Sequence, residues 1–567
     1  PVAILVLSLG LSVADTSESE VEFLRAQVAA IRSQVQAAEK LVRGQQAVID
    51  GAKAERRRLQ GNSTNNSNIQ TATASPLPLT PSVVYLTAEE LRLQKVEFDG
   101  ALDCMWLILC GALVMSMHAG FAMLETGSCR AKNAQNVLMK NLVNVTVGTI
   151  AWWAFGWGFA FGGVAATSKH SGADKPLFIG SEQFFGQGFI NHANGAVSAF
   201  EGDQTRSYAL DWFFQWAFCT AGATIVSGGV AERVKSPTYA AYAFVMAAFI
   251  YPVVVAWTWG GGWLSKVFGV GFIDFAGSGI VHLTGGISAL MGTYILGPRK
   301  GRFEHPELFE AHSLPLAVLG TFILWFGWYG FNPGSVLSMH DARNGMLAAQ
   351  VAMNTTLSAA IGGLTVFSIR YALTHRYDVG GLCNGILAGL VSITAGCSNM
   401  QSGMALLTGF IGAFVYQGGS MLLQKLEIDD PVDASPVHMG CGIWACIAAA
   451  WFDWGNHYNH YHGWSGFDCM RDLDGSCSTH LRGHAMEAQF ILILSVLAWA
   501  GTLSGLTFFL LNRTGHLRIS EETEDMGMDA KQHSPTKAYQ LGDAYHSRPV
   551  DPPEEAAPVG ASVKKSA

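Results

Sequence analysis

Residues 274–287 read DFAGSGIVHLTGGI and residues 430–443 read DPVDASPVHMGCGI. Each stretch places an aspartate eight residues before a histidine, Asp274 before His282 and Asp430 before His438, and each histidine stands in the string V-H-x-x-x-G-I. The strings occupy the fifth and tenth of eleven apolar segments: 101–124, 138–163, 208–230, 239–257, 274–296, 315–330, 346–369, 381–395, 403–423, 437–452 and 488–511. Such runs approach the roughly twenty residues that cross a hydrocarbon layer of about 30 Å. An offset of five crossings sends the two copies through the membrane in opposite directions, the mark of an inverted repeat with a binding path at its interface. Eight residues of helix rise about 12 Å, so histidines entering from opposite faces are expected to meet near the bilayer centre. The expected fold is an all-α polytopic membrane protein, with eleven transmembrane helices in a five-plus-five inverted repeat.

Composition agrees. Half of the 567 residues are hydrophobic and 14% are charged, against about a quarter charged in a soluble chain. A net charge of -8 without a basic block excludes a nucleic-acid partner, which needs an electropositive footprint. Ten cysteines without CxxC spacing make neither a zinc site nor a dense disulfide scaffold. The soluble segments are short and hold no nucleophile motif or phosphate loop, so neither an enzyme nor a cofactor is expected.

Residues 1–15 form an apolar run ending in small residues, the h-region of a secretory signal or, alternatively, a short extra membrane helix. Over 18–60, Val21, Leu24, Val28, Ile31, Val35, Ala38, Val42, Gln45, Ile49 and Ala52 keep an unbroken a/d register. The pattern predicts an N-terminal extracellular coiled-coil helix, with a lone amphipathic helix as the alternative. Residues 61–99 are a linker and pre-membrane segment with glycosylation sequons at Asn62 and Asn65. The eleven-helix domain spans 100–512, and a tail follows over 513–567, polar and expected to be disordered beyond about residue 540. Loops that would be cytoplasmic for an outside N-terminus hold ten Lys and Arg, against seven in the longer opposite loops. That bias puts the N-terminus outside and the C-terminus inside, as expected for a plasma-membrane protein.

A histidine inside a membrane segment is costly unless it meets a partner or a cavity. One alone is explained by an interhelical hydrogen bond, whereas two placed symmetrically point to a shared site. Two imidazoles supply too few ligands for a metal. As neutral rings, each with one donor and one acceptor nitrogen, they can share a proton along a polar thread in an apolar pore.

The string DFAGSGIVHLTGGISAL, with AERVK at 231–235, GWYGFNPGS at 327–335 and VHMGCGIWACI at 437–447, resembles the Amt/Mep/Rh ammonium transporter superfamily on its Amt side, over about residues 100–535. The resemblance implies a homotrimer in the lipid bilayer, each protomer with its own pore for ammonium, ammonia or the analogue methylammonium. It implies that His282 and His438 are the pore pair and that Phe218 and Phe331 close the outer pore as stacked rings. By the same likeness Phe218, Trp259 and Ser335 recruit ammonium, Asp274 supports that site, and Trp328 lines the pore. The chemistry is coherent: aromatic faces attract a small cation, and a hydroxyl accepts a hydrogen bond that ammonium can donate and potassium cannot. A cation–π contact gives up to about 2 kcal/mol, less than the several kcal/mol lost on drying a monovalent ion. Ammonium is therefore expected to lose its proton at the outer site and cross as ammonia. The proton is either left outside or passed separately through the histidines. A receptor-like ammonium sensor with little flux would use the same outer site. Taken singly, the aromatic residues read as packing, and Asp274 reads equally as a helix cap.

His457, His460 and His462 lie in an external loop and read as solvated, with metal binding as the alternative. Cys469 and Cys477 in that loop are a candidate disulfide pair, with two free thiols as the alternative. The tail string LRISEETEDMGMDAKQH resembles the family's regulatory tail, which packs on neighbouring protomers. It departs at Lys531, where plant relatives carry a regulatory threonine, and at Ser534-Pro535, where the family has a glycine pair.

Overall fold

The computed structural model describes residues 87–163, 178–190, 199–200, 203–452 and 484–539. The signal segment, the coiled-coil register, both sequons, the histidine-rich loop and Cys469 and Cys477 lie outside the described residues.

Each of the eleven apolar segments overlaps a helix, although several run a few residues past its ends. They are α1 (Ala88–Ser128), α2 (Ala134–Ala151, continued by Trp152–Gly156 and Trp157–Phe161), α3 (Tyr208–Gly229) and α4 (Ser236–Val245, continued by Met246–Ile250 and Tyr251–Trp257). Next come α5 (Ser278–Leu283 and Thr284–Leu296), α6 (Leu314–Phe331), α7 (Ala342–Thr374) and α8 (Val379–Thr394). The last are α9 (Ser402–Lys425), α10 (Ser435–Gly440 and Cys441–Trp451) and α11 (His484–Arg513). Among the described residues, seven stretches are long and apolar enough to cross a membrane: six lie in α1, α4, α5, α7, α9 and α11, and the seventh, Leu314–Val336, covers α6 and the turn after it. A two-stranded antiparallel hairpin, β1 (Ala199–Phe200) and β2 (Asp203–Ser207), leads into α3.

Helix starts follow their local chemistry. Thr87 and Glu90 form a reciprocal capping box before α1, and the Asp341 and Asp378 side chains cap α7 and α8. The interval between Asp274 and His282 is not the eight-residue helix expected from the sequence. Residues 275–277 are non-helical, Gly277 takes φ +105°, and α5 begins only at Ser278. The aspartate instead folds back over the helix start, so His282 sits in the first turns of α5. In the other copy Asp433 takes φ +57°, and Asp430 accepts from Ala434 N (3.0 Å) and Ser435 N (2.7 Å) before His438. Both histidines then lie in short π-helical openings, Ser278–Leu283 and Ser435–Gly440.

The glycine of each V-H-x-x-x-G-I string sets how closely α5 and α10 cross. A Cβ on Gly286 would lie 2.2 Å from Met439 N, and one on Gly442 would lie 2.8 Å from Ser278 O and 3.2 Å from Leu283 N. Each glycine thus faces backbone near the opposite histidine, and only hydrogen at both positions lets the two chains touch.

The end of the bundle that carries the AERVK loop holds a buried ionic network. Arg299 pairs in bidentate fashion with Asp429 (2.8 and 2.9 Å) and reaches Glu232 (2.8 Å), which also binds Arg130. Burial alone would raise both carboxyl pKa values, but the arginines overcome it and hold Glu232 and Asp429 below the ordinary range. The described part of the tail docks on this end of its own protomer. Val234 and Arg518 form a β-bridge, Arg518 donates to Leu296 O and Pro298 O, and the Asp529 carboxylate accepts from Gln135 N and Asn136 N at the start of α2.

Candidate functional site

The histidines of α5 and α10 meet. His282 Nδ1 and His438 Nδ1 are 3.1 Å apart, and both rings are buried. A hydrogen bond between like nitrogens needs one donor and one acceptor, so the two neutral rings must be opposite tautomers, and two imidazolium rings cannot make it. Moving the shared proton from one Nδ1 to the other requires the Nε2 atoms to exchange roles as well. His282 Nε2 is buried and has no hydrogen-bond partner among the described residues, so it is available for such exchange. Trp328 stacks on His282 (5.1 Å between centroids, 12°), and its Nε1 donates to Thr394 Oγ1 at 2.9 Å.

From this pair the rings continue in one series. Phe331 lies 5.4 Å from His282, Phe218 stacks on Phe331 at 4.1 Å and 27°, and Trp259 meets Phe218 edge-on at 5.9 Å. On the opposite side Phe121 tilts against His438 at 6.1 Å. Phe218 and Phe331 are almost fully buried, so their stack fills the space between the histidines and a cavity at the Trp259 end. That cavity, about 130 Å³, is lined by Trp157, Phe161, Asp211, Phe214, Gln215, Phe218, Trp259, Phe275, Ser335 and Leu337. Ser335 Oγ donates to Phe331 O (2.8 Å), which leaves its lone pairs to accept.

Asp274 lies beneath Trp259, whose Nε1 donates to the Asp274 carbonyl (3.1 Å). Its carboxylate accepts from four backbone N–H groups, Gly277 and Ser278 on Oδ1 and Gly279 and Ile280 on Oδ2, at 2.8–2.9 Å. This satisfies all four N–H groups that a helix start leaves open. The structure thus brings together His282, His438, Trp328, Phe331, Phe218, Trp259 and Ser335, with Asp274 as the cap that orients the His282 helix.

Sequence reading passed over Phe121, Thr394, Asp211 and Gln215. The last two carried a signal: Asp211, Gln215 and Phe218 stand at i, i+4 and i+7, one face of α3, where polar residues in an apolar helix point to a cavity.

The pattern of the ammonium transporter family matches residues 105–539. The chain belongs to the ammonium transporter family. Its relatives in that family include the Archaeoglobus fulgidus ammonium transporter Amt2, 39% identical over 446 residues, with 76% of this chain and 87% of the relative covered. Ammonium transporter 1 member 3 of Solanum lycopersicum is 36% identical over 460 residues, covering 77% and 93%. Among solved structures, a sensor Amt protein superposes with TM-score 0.65 at 30% identity, over 77% of this chain and 99% of its own. Mep2 of Candida albicans superposes with TM-score 0.62 at 26% identity, over 77% and 90%. The ammonium transporter family is one of membrane transport proteins, and the helical bundle here carries that family's architecture.

Proposed function

We propose that this chain moves ammonium across a plasma membrane by taking up the ion at the Trp259 cavity, removing a proton there and conducting ammonia past the Phe218–Phe331 stack. The observation that carries this reading is the unbroken series from Trp259 through Phe218 and Phe331 to the His282–His438 bond. A cation–π site lies at one end of that series, a closed apolar gate in the middle, and a proton-sharing pair beyond it. The gate has no acceptor to replace the hydration of an intact ion, so the neutral species is the one that passes. The proton travels separately, with the histidine pair as its relay.

In this reading the eleven helical segments all cross the bilayer, α1 to α5 and α6 to α10 are inverted repeats, and the working unit is a homotrimer. The N-terminus is outside, where Asn62 and Asn65 carry glycans and the 18–60 register forms a coiled coil, and the tail is cytoplasmic. Uptake of ammonium or methylammonium into proteoliposomes with simultaneous current recording tests the reading. Saturable uptake accompanied by current supports it, and absence of both refutes it. The likeness to a sensor Amt protein favours a second reading, ammonium sensing with little flux. Ammonium binding without appreciable uptake in the same vesicles would select it.

A further inference from the structure

The Trp259 cavity is lined by one carboxylate, Asp211, and not by Asp274. Asp274 has both oxygens engaged by four helix N–H groups, which leaves it turned into its own helix. Asp211, by contrast, is 4% exposed and forms part of the cavity wall. One turn further along α3, Gln215 lines the same wall, and its Oε1 is buried with no hydrogen-bond partner among the described residues. Phe218, which also lines the cavity, follows at the next position on that face. Buried polar acceptors are ordinarily satisfied, and one left open in a small cavity requires a donor from outside the protein.

We propose that Asp211 and Gln215 form, with Ser335, the acceptor side of the ammonium site, so that the ion is held by a carboxylate and two neutral oxygens as well as by aromatic faces. This assignment rests on the ammonium-transport reading above and goes further by naming the charge in the site. Ammonium offers four N–H donors. Three are matched by Asp211, the orphan Gln215 Oε1 and the Ser335 lone pair, while the fourth points toward the rings of Phe218 and Trp259. A carboxylate accepts up to about four hydrogen bonds, so Asp211 can keep an existing contact and still receive the ion. The alternative role, a negative charge in the first turn of α3, requires no cavity position and leaves Gln215 unexplained.

The test measures the ammonium concentration dependence of uptake by the full chain in proteoliposomes, with Trp259→Leu run alongside. Asp211→Asn is expected to raise half-saturation about tenfold or more, the loss of a charge-assisted hydrogen bond, and Gln215→Leu a few-fold. Asp211→Asn combined with Gln215→Glu returns the charge to the cavity one turn lower and is expected to recover most of the loss. Unchanged half-saturation in Asp211→Asn, with a raised value in Trp259→Leu, overturns the assignment and leaves ammonium transport standing. A lowered melting temperature with unchanged half-saturation marks a helix-terminal charge and also overturns it. If Asp211→Asn does not fold, Gln215→Leu decides, and an unaltered half-saturation in that variant is contrary. Wild-type vesicles without saturable uptake overturn both this assignment and the transport reading.

Discussion

Single atoms decide much of this site. At Gly286 a methyl group would stand 2.2 Å from Met439 N and 2.8 Å from the His438 carbonyl carbon, and neither neighbour is a side chain that can turn away. Gly286→Ala must therefore push α10 off α5 and break the Nδ1–Nδ1 bond of the histidines. We expect protein with a lowered melting temperature and no ammonium uptake in vesicles, and uptake at the wild-type rate would show that the crossing is looser than described. Trp259 tests a weaker effect. Trp259→Leu removes one cation–π face, about 0.5 to 2 kcal/mol, so half-saturation should rise between a few-fold and about thirtyfold. If neither half-saturation nor selectivity moves, Trp259 serves packing alone. The histidine pair was legible because two like strings recur with the same spacing. Asp211 and Gln215 were missed although they share the Phe218 face of α3, because two polar residues in an apolar helix mark a cavity only once the facing elements are known.

Helix starts carry the next layer of the account. The sequence interval from Asp274 to His282 looks like two turns of helix, and the structure turns its first half into a cap because Gly277 admits φ +105°. The periodicity of an apolar run cannot distinguish a capped start from a continuous helix, which is why the expected rise failed while the meeting of the histidines held. Asp274→Asn leaves one side-chain oxygen for four N–H groups and sets an NH2 against donors. Each buried donor left open costs about 1–3 kcal/mol, so the His282 helix should start later and the melting temperature should drop by several degrees. Thermal unfolding in detergent measures this, and an unchanged transition would contradict the cap. At the other end of the bundle, Glu232 and Asp429 are held below their ordinary range despite burial. Carboxyls depressed in the folded state contribute stability that is complete above the unfolded value, about 4, and is lost as pH falls through the folded one. Wild-type protein should keep its melting temperature from neutral pH to about 5 and lose it in stronger acid. Glu232→Gln should start lower at neutral pH and change less on acidification, and parallel curves for the two proteins would count against the network.

For the whole molecule, the two halves and the tail are fastened by contacts far apart in sequence. Asp529 capping α2 and Arg518 reaching Leu296 and Pro298 join the chain's last described segment to loops between early helices. Such pairs leave no periodic trace in the sequence, so the tail's seat on its own bundle was not legible there; the resemblance implied packing on neighbouring protomers instead. The a/d register at 18–60 lies outside the described residues. In the proposed homotrimer three copies of this register would be tethered at high effective concentration, which lets even a weak seam associate. Deleting residues 18–60 should leave flux per molecule nearly intact and lower stability in detergent, whereas loss of transport in correctly delivered protein would refute a bracing role. The central claim is that the proton and the ammonia part company at a gate and that the histidine pair carries the proton. Paired current and uptake recordings on proteoliposomes of His282→Ala with His438→Ala test it most directly. The account predicts a folded protein that has lost ammonium-driven current and discriminates less well against potassium, and wild-type current with wild-type selectivity in that double variant would contradict it.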